Sequence, residues 1–164
     1  MAAFPFCSLT TVNSMQPTHL DFTGACKYVC TVDIHTAKNS SEHLAQILSP
    51  LNACLQSLKL PKGPKFPHFL SSFKERVKGV LFPNLHTIAG SFLQVDLELL
   101  STLPRLASLE LHTICAVQKN CVTSFLHKRV VASVFNPLLE CRHLNDLNLP
   151  WVDGEIVSLM GQIR

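Results

Sequence analysis

Glycine is scarce in this 164-residue chain, with six in all. A loop that cradles phosphate needs several within a short span, and neither a P-loop nor a dinucleotide-binding fingerprint occurs. The Gly-x-Ser-x-Gly elbow of the serine hydrolases is missing as well. Charge is sparse, at 15% of residues, and the formal net charge is only +3. The pI near 8.5 falls short of the value above ~9 expected of a nucleic-acid-binding domain. Long apolar runs are absent. The longest uncharged stretch near the middle, residues 79–95, is interrupted by Pro83, Asn84, His86 and Gln94. A membrane span needs about 20 predominantly apolar residues, so no transmembrane helix is expected. The first residues carry no early Lys or Arg and are broken by Pro5, which makes a poor signal peptide.

The seven cysteines are Cys7, Cys26, Cys30, Cys54, Cys115, Cys121 and Cys141. Their number is odd and their spacing loose, which argues against a disulfide scaffold and places the chain inside the cell, in cytoplasm or nucleus. Cys26 and Cys30 lack the second tight ligand pair of a structural zinc site, so no metal is expected. No cofactor and no enzymatic activity are expected either.

What the chain does hold is apolar material, 47% of its residues, enough to bury a core. One pattern recurs: apolar, two residues, apolar, one residue, apolar. It occurs as Val29–Ile34, Leu55–Leu60, Leu106–Leu111 and Leu144–Leu149, as a degraded copy in Leu85–Gly90, and in part as Pro17–Phe22. Each copy ends in the alternation of a strand buried on one face. Stripes with helical spacing lie between the copies. They are Leu44, Ile47, Leu48 and Leu51; Phe69, Phe73, Val77, Val80 and Leu81; a short segment from Asp96 to Leu103 with Asp96 as N-cap; Phe125, Val131, Val134, Phe135 and Leu138; and residues 153–163. Asn39 with Glu42 three residues on resembles a capping box for the first. The five better copies start at 29, 55, 85, 106 and 144, in steps of 26, 30, 21 and 38. Several steps approach the about 20 to 29 residues of a leucine-rich repeat. The expected fold is therefore α/β, a leucine-rich-repeat-like solenoid of about five irregular strand–helix units over residues 17–164, after an extension of residues 1–16.

In such strands the residues between the leucines point away from the core. Those positions are Asp21, Thr31, Asp33, His35, Lys59, Ser108, Glu110, His112, Asp146 and Asn148, with Ser57, Thr87, Ala89 and Ser91 among them. Stacked parallel strands join them into one surface, and repeat proteins use such surfaces for partners. The mix of Asp, Glu and His suits a basic or polar protein partner. A second candidate is a basic window, Lys59, Lys62, Lys65, Lys74, Arg76 and Lys78 against Glu75 alone. It would serve an acidic partner, a nucleic-acid backbone or an anionic surface, through binding that weakens steeply with salt.

The lead-ins Phe82-Pro-Asn-Leu85, Leu103-Pro-Arg-Leu106 and Cys141-Arg-His-Leu144 resemble the irregular leucine-rich regions of fungal F-box proteins, most clearly over residues 44–150. The resemblance implies recognition of a target for ubiquitylation. It would add a ubiquitin-ligase adaptor as a second partner, held by a separate F-box. Residues 1–16 lack the Leu-Pro-x-Glu-like helix start of that box, so target binding is the role carried over.

Overall fold

The strands of this protein stack in the order in which the chain makes them. A computed structural model describes residues 7–9, 29–34, 40–61, 68–118, 121–124, 132–149, 157–158 and 161. Its strands are β1 (Cys7–Leu9), β2 (Val29–Asp33), β3 (Ser57–Lys59), β4 (Thr87–Leu93), β5 (Ser108–Gln118), β6 (Cys121–Ser124) and β7 (Asp146–Asn148). They form one sheet in which β1 to β5 are parallel and consecutive, β7 lies parallel to the first half of β5, and β6 turns back antiparallel on its second half. The sheet begins before the expected boundary at residue 17, because Cys7–Leu9 pairs with β2.

The repeated motif sets the register. Val32, Leu58, Ile88, Leu109 and Leu147 are cross-strand partners, one from each motif. The residue after each motif's first apolar position also bonds its counterpart. The amides of Gln56, His86, Ala107 and Asn145 donate to the carbonyls of Cys30, Gln56, His86 and Ala107, at 2.7 to 3.0 Å. No strand is offset against the next over this span. The motif leucines Leu55, Leu58, Leu60, Leu85, Leu106, Leu109, Leu111 and Leu144 are all buried, and burying each such side chain is worth about 1.5–3 kcal/mol. Gly90 takes the place of the last leucine in its motif. A Cβ there would lie 3.0 Å from the Phe92 ring and 3.2 Å from Leu60, so its absence admits the fully buried Phe92.

Helices cover the face into which the leucines point. They are α1 (Ser41–Leu48), α2 (Phe69–Arg76), α3 (Asp96–Ser101) and two 3-10 segments, Ser49–Leu51 and Ala132–Glu140. Packed side by side, α1 against α2 and α3 against the second 3-10 segment, they bury Leu44, Leu48, Phe69, Phe73, Leu97, Leu100, Phe135 and Leu138 in one core with the strands.

Local signals were displaced in several places. The N-cap of α1 is Ser40, whose hydroxyl accepts from the His43 amide at 3.3 Å, one residue after the expected Asn39. Asp96 does not cap α3. It sits inside the first turn, accepting from the Leu93 amide at 3.1 Å and the Ser71 hydroxyl at 2.8 Å. α2 stops at Arg76, since Val77 is extended and Gly79 has φ +107°, so Val80 leaves the stripe and is exposed. The fourth stripe becomes a 3-10 segment around Pro137, which has no amide hydrogen to give to a helix. Pro17–Phe22, Phe125, Val131 and most of residues 153–163 lie outside the described residues.

Candidate functional site on the open sheet face

With the helices on one face, the other face of β2, β3, β4, β5 and β7 displays two rows of side chains. The first row is Thr31, Ser57, Thr87, Ser108 and Asp146, and the second is Asp33, Lys59, Ala89, Glu110 and Asn148. Neighbours in a row stand one strand spacing apart, about 4.8 Å. In the first row the Ser108 hydroxyl donates to Asp146 Oδ2 at 2.8 Å. In the second, Lys59 is exposed and makes no ion pair among the described residues. The expected residues Thr31, Asp33, Lys59, Ser108, Glu110, His112, Asp146 and Asn148 are thus brought onto one side of the sheet. Asp21 and His35 lie outside the described residues.

The second row leads into a cleft of about 370 Å³ lined by Asp33, Ile34, Lys59, Leu60, Ala89, Glu110 and His112. Strand lengths create it. β2 and β3 end at Asp33 and Lys59, while β4 and β5 run on to Leu93 and Gln118. β5 then slips by one residue: Gly90 pairs with Leu111 but Ser91 pairs with Thr113, leaving His112 as the extra residue of a bulge. Bulges bend a strand and re-aim its side chains. Here His112 Nε2 comes within 3.3 Å of Glu110 Oε1, and the two side chains are 12% and 38% exposed. His112 Nδ1 and Ser91 Oγ are buried without a hydrogen-bond partner.

Two positions depart from their expected exposure. Ala89 and Ser91, expected on the surface, are each 1% exposed. Ala89 is short and stands between Lys59 and Glu110 in the row, and Ser91 lies at the bulge. The cleft itself was not read from the sequence, though a signal for it exists. Ile88, Gly90 and Phe92 keep strict alternation, whereas Leu109, Leu111 and Ile114 skip one residue, the mark of a one-residue bulge.

The basic window is divided by the core. Lys59 stands on the open sheet face, whereas Lys74, Arg76 and Lys78 are exposed on α2 and just beyond it, in the helical layer. Lys62 and Lys65 lie outside the described residues. A second cleft, of about 290 Å³, lies where the chain leads into β5 and β7, between Thr102, Pro104, Glu140 and Arg142 among others.

No family model, no curated protein and no solved structure matches the chain. Among the described residues no group of three or more His, Cys, Asp or Glu is placed to hold a metal, and no helix is long and apolar enough to cross a membrane. Burial pushes the Cys141 thiol up to about 11, with the Glu140 charge adding to the rise, so this cysteine is a poor nucleophile at neutral pH. The cleft brings together two carboxylates, an ammonium and an imidazole beside Ile34, Leu60 and Ala89.

Proposed function

We propose that the chain is a non-catalytic protein-interaction module, a leucine-rich-repeat-like solenoid whose open sheet face holds a segment of a partner protein. In this reading the face does what the target-binding repeats of F-box-type receptors do. The observation that carries the reading is the flush register. Equivalent residues of five successive motifs are cross-strand partners, so positions scattered over more than a hundred residues of chain become two continuous polar rows. A surface assembled in this way is wide enough to meet a protein segment along several strands. Its acidic members, Asp33, Glu110 and Asp146, outnumber Lys59, and this balance favours a basic or polar segment.

The test places a photo-crosslinking residue at Thr87, on the open face, or at Glu75, on the exposed side of α2, in cell extract at physiological salt. A discrete protein adduct formed only from position 87 supports the reading. Charge reversal of Asp33 and Glu110 together should remove it while circular dichroism stays unchanged. Identical adducts from both positions, or an adduct indifferent to the charge reversal, would overturn it.

A further inference from the structure

The ladder has an edge at which its repeating hydrogen bonds run out. At successive junctions one carbonyl receives two amides from the next strand. Gln56 O accepts from His86 and Thr87, His86 O from Ala107 and Ser108, and Ala107 O from Asn145 and Asp146, at 2.8 to 3.1 Å. Asn145 is next in this series, and among the described residues no strand follows it: β7 pairs with β5 alone. Successive residues of a strand turn their backbone groups to alternate sides. The Asp146 amide faces β5, so the amide and carbonyl of Leu147 face outward, with the Asn145 carbonyl and the Leu149 amide beside them. Leu60, the counterpart of Leu149 in its motif, uses that amide to bond Ala89 O on the following strand at 2.8 Å.

The side chains mark the same edge. Leu147 is partly buried, whereas its ladder counterparts Val32, Leu58, Ile88 and Leu109 are fully enclosed. The flank left bare is the one a further strand would cover. Edge strands are commonly guarded by lysine or proline, and β7 carries neither. Its three residues are enough, since β3 is as short and holds a strand on each side. We infer that the outer edge of β7 receives a strand of a partner protein, added in parallel, with an apolar residue beside Leu147 and polar residues on either side. Strand addition to an open sheet edge is a general mode of peptide recognition. The parallel direction continues that of every junction from β1 to β5 and on to β7. A second copy of this chain suits the edge less well. Its β1 could join β7 head to tail, but each addition would leave another β7 open, and such an assembly does not close. The edge is separate from the open sheet face, and the inference stands or falls without the reading of that face.

The experiment titrates the full 15N-labelled chain with acetyl-Pro-Arg-Leu-Ala-Ser-Leu-Glu-Leu-amide. This is the chain's own segment 104–111, which already adds in parallel to a strand of this sheet. Chemical shifts should move at Asn145, Leu147 and Leu149. Hydrogen exchange of the Leu147 and Leu149 amides should slow by about tenfold or more at saturation. Two modified peptides read the backbone directly, with the protein unaltered. Methylating the amide nitrogens of the peptide's serine and glutamate, which would face β7, should weaken binding about tenfold or more. Methylating that of the leucine between them, which would face away, should be tolerated as an edge proline is.

Equal binding of the two methylated peptides would overturn the inference, because the contact would then not run through the backbone. So would shifts gathered at Thr87 and Glu110 on the open face, or none near Leu147 at millimolar peptide. Self-association of the chain in sedimentation, relieved by the peptide, would give the edge to a second copy and overturn the assignment to a partner protein.

Discussion

The side chain of Asn52 holds Phe82, thirty residues further along the chain, in a left-handed backbone conformation. Its Oδ1 accepts from the Phe82 amide at 2.8 Å and its Nδ2 donates to the Val80 carbonyl at 3.0 Å. Phe82 has φ +43°, which for a bulky residue costs about 1–3 kcal/mol. Its ring is fully buried and stacks on Phe73 with centroids 4.2 Å apart. Asn84 Nδ2 donates in turn to the Ala53 carbonyl at 2.8 Å, and Arg105 Nη1 to Asn84 Oδ1 at 3.0 Å. These side chains tie the loops ahead of β3, β4 and β5 to one another.

Asn52→Ala should therefore lower stability by about 1–3 kcal/mol, the cost of stranding two backbone groups in a partly closed loop. Asn84→Ala, at a more exposed link, should cost less. Urea unfolding midpoints at constant slope would measure both, and an Asn52→Ala variant as stable as the wild type would show that the loop holds itself.

Asp96 gives the chain a pH dependence opposite to that of most carboxylates. It is fully buried, and burial raises its pKa above the ordinary 3.8 against the downward pull of the Ser71 hydroxyl, the Leu93 amide and the His68 charge. The folded state holds this proton more tightly than the unfolded chain. Its stabilising contribution is complete below 3.8 and is lost as pH rises through the folded pKa. In Asp96→Asn the amide can accept from Leu93 and donate to Ser71. The advantage of wild type over this variant should shrink as pH rises from 3.8 toward neutrality. A difference in urea midpoint that is flat or grows with pH would contradict the assignment.

Leu109 and Leu147 occupy the same motif position on adjacent strands, but Leu109 is fully buried and Leu147 only half-buried. Leu109→Ala should cost about 2–5 kcal/mol, as buried leucine truncations do, and Leu147→Ala clearly less. Thermal or urea unfolding decides, and equal losses would mean that the end of the sheet is closed as tightly as its middle.

Reversing Lys74, Arg76 and Lys78 to glutamate should change stability by no more than about 0.5 kcal/mol per site, since all three are exposed. The Thr87 crosslink should survive the change. Loss of that adduct, or a salt-sensitive affinity for DNA or anionic vesicles abolished by the triple variant, would return function to the helical layer.

The sheet was legible because its signal is redundant. Val32, Leu58, Leu109 and Leu147 each sit inside a full motif and Ile88 inside the degraded copy, and one weak copy does not hide the register. The rows of the open face followed from alternation alone. Features decided by a single contact were not legible. Asn39 and Ser40 look equally fit to cap α1 until the His43 amide chooses between them. Val77 and Val80 continue the stripe of α2 on paper, but the backbone is already extended at Val77 and turns again at Gly79. The second half of β5 and all of β6 fall between the motif Leu106–Leu111 and the stripe that starts at Phe125, where the sequence carries neither pattern. The cleft needed the bulge at His112 together with the unequal lengths of β3 and β4, and those belong to pairs of strands rather than to any one segment.

The flush ladder also bears on how the chain reaches this state. Parallel sheets are slow to form when their strands must find partners far away in sequence. Here β2, β3, β4 and β5 each add to the strand before, and β7 adds to β5. The search at each stage closes a loop no longer than one unit, and the entropy cost of closure rises only slowly with loop length. During synthesis, where amino-terminal parts emerge and fold first, every new strand meets an edge that already has the right spacing and direction. The sheet acts as the template for its own next strand, so a defect in an early unit would be passed to those that follow, whereas one in a late unit would leave the earlier part able to form.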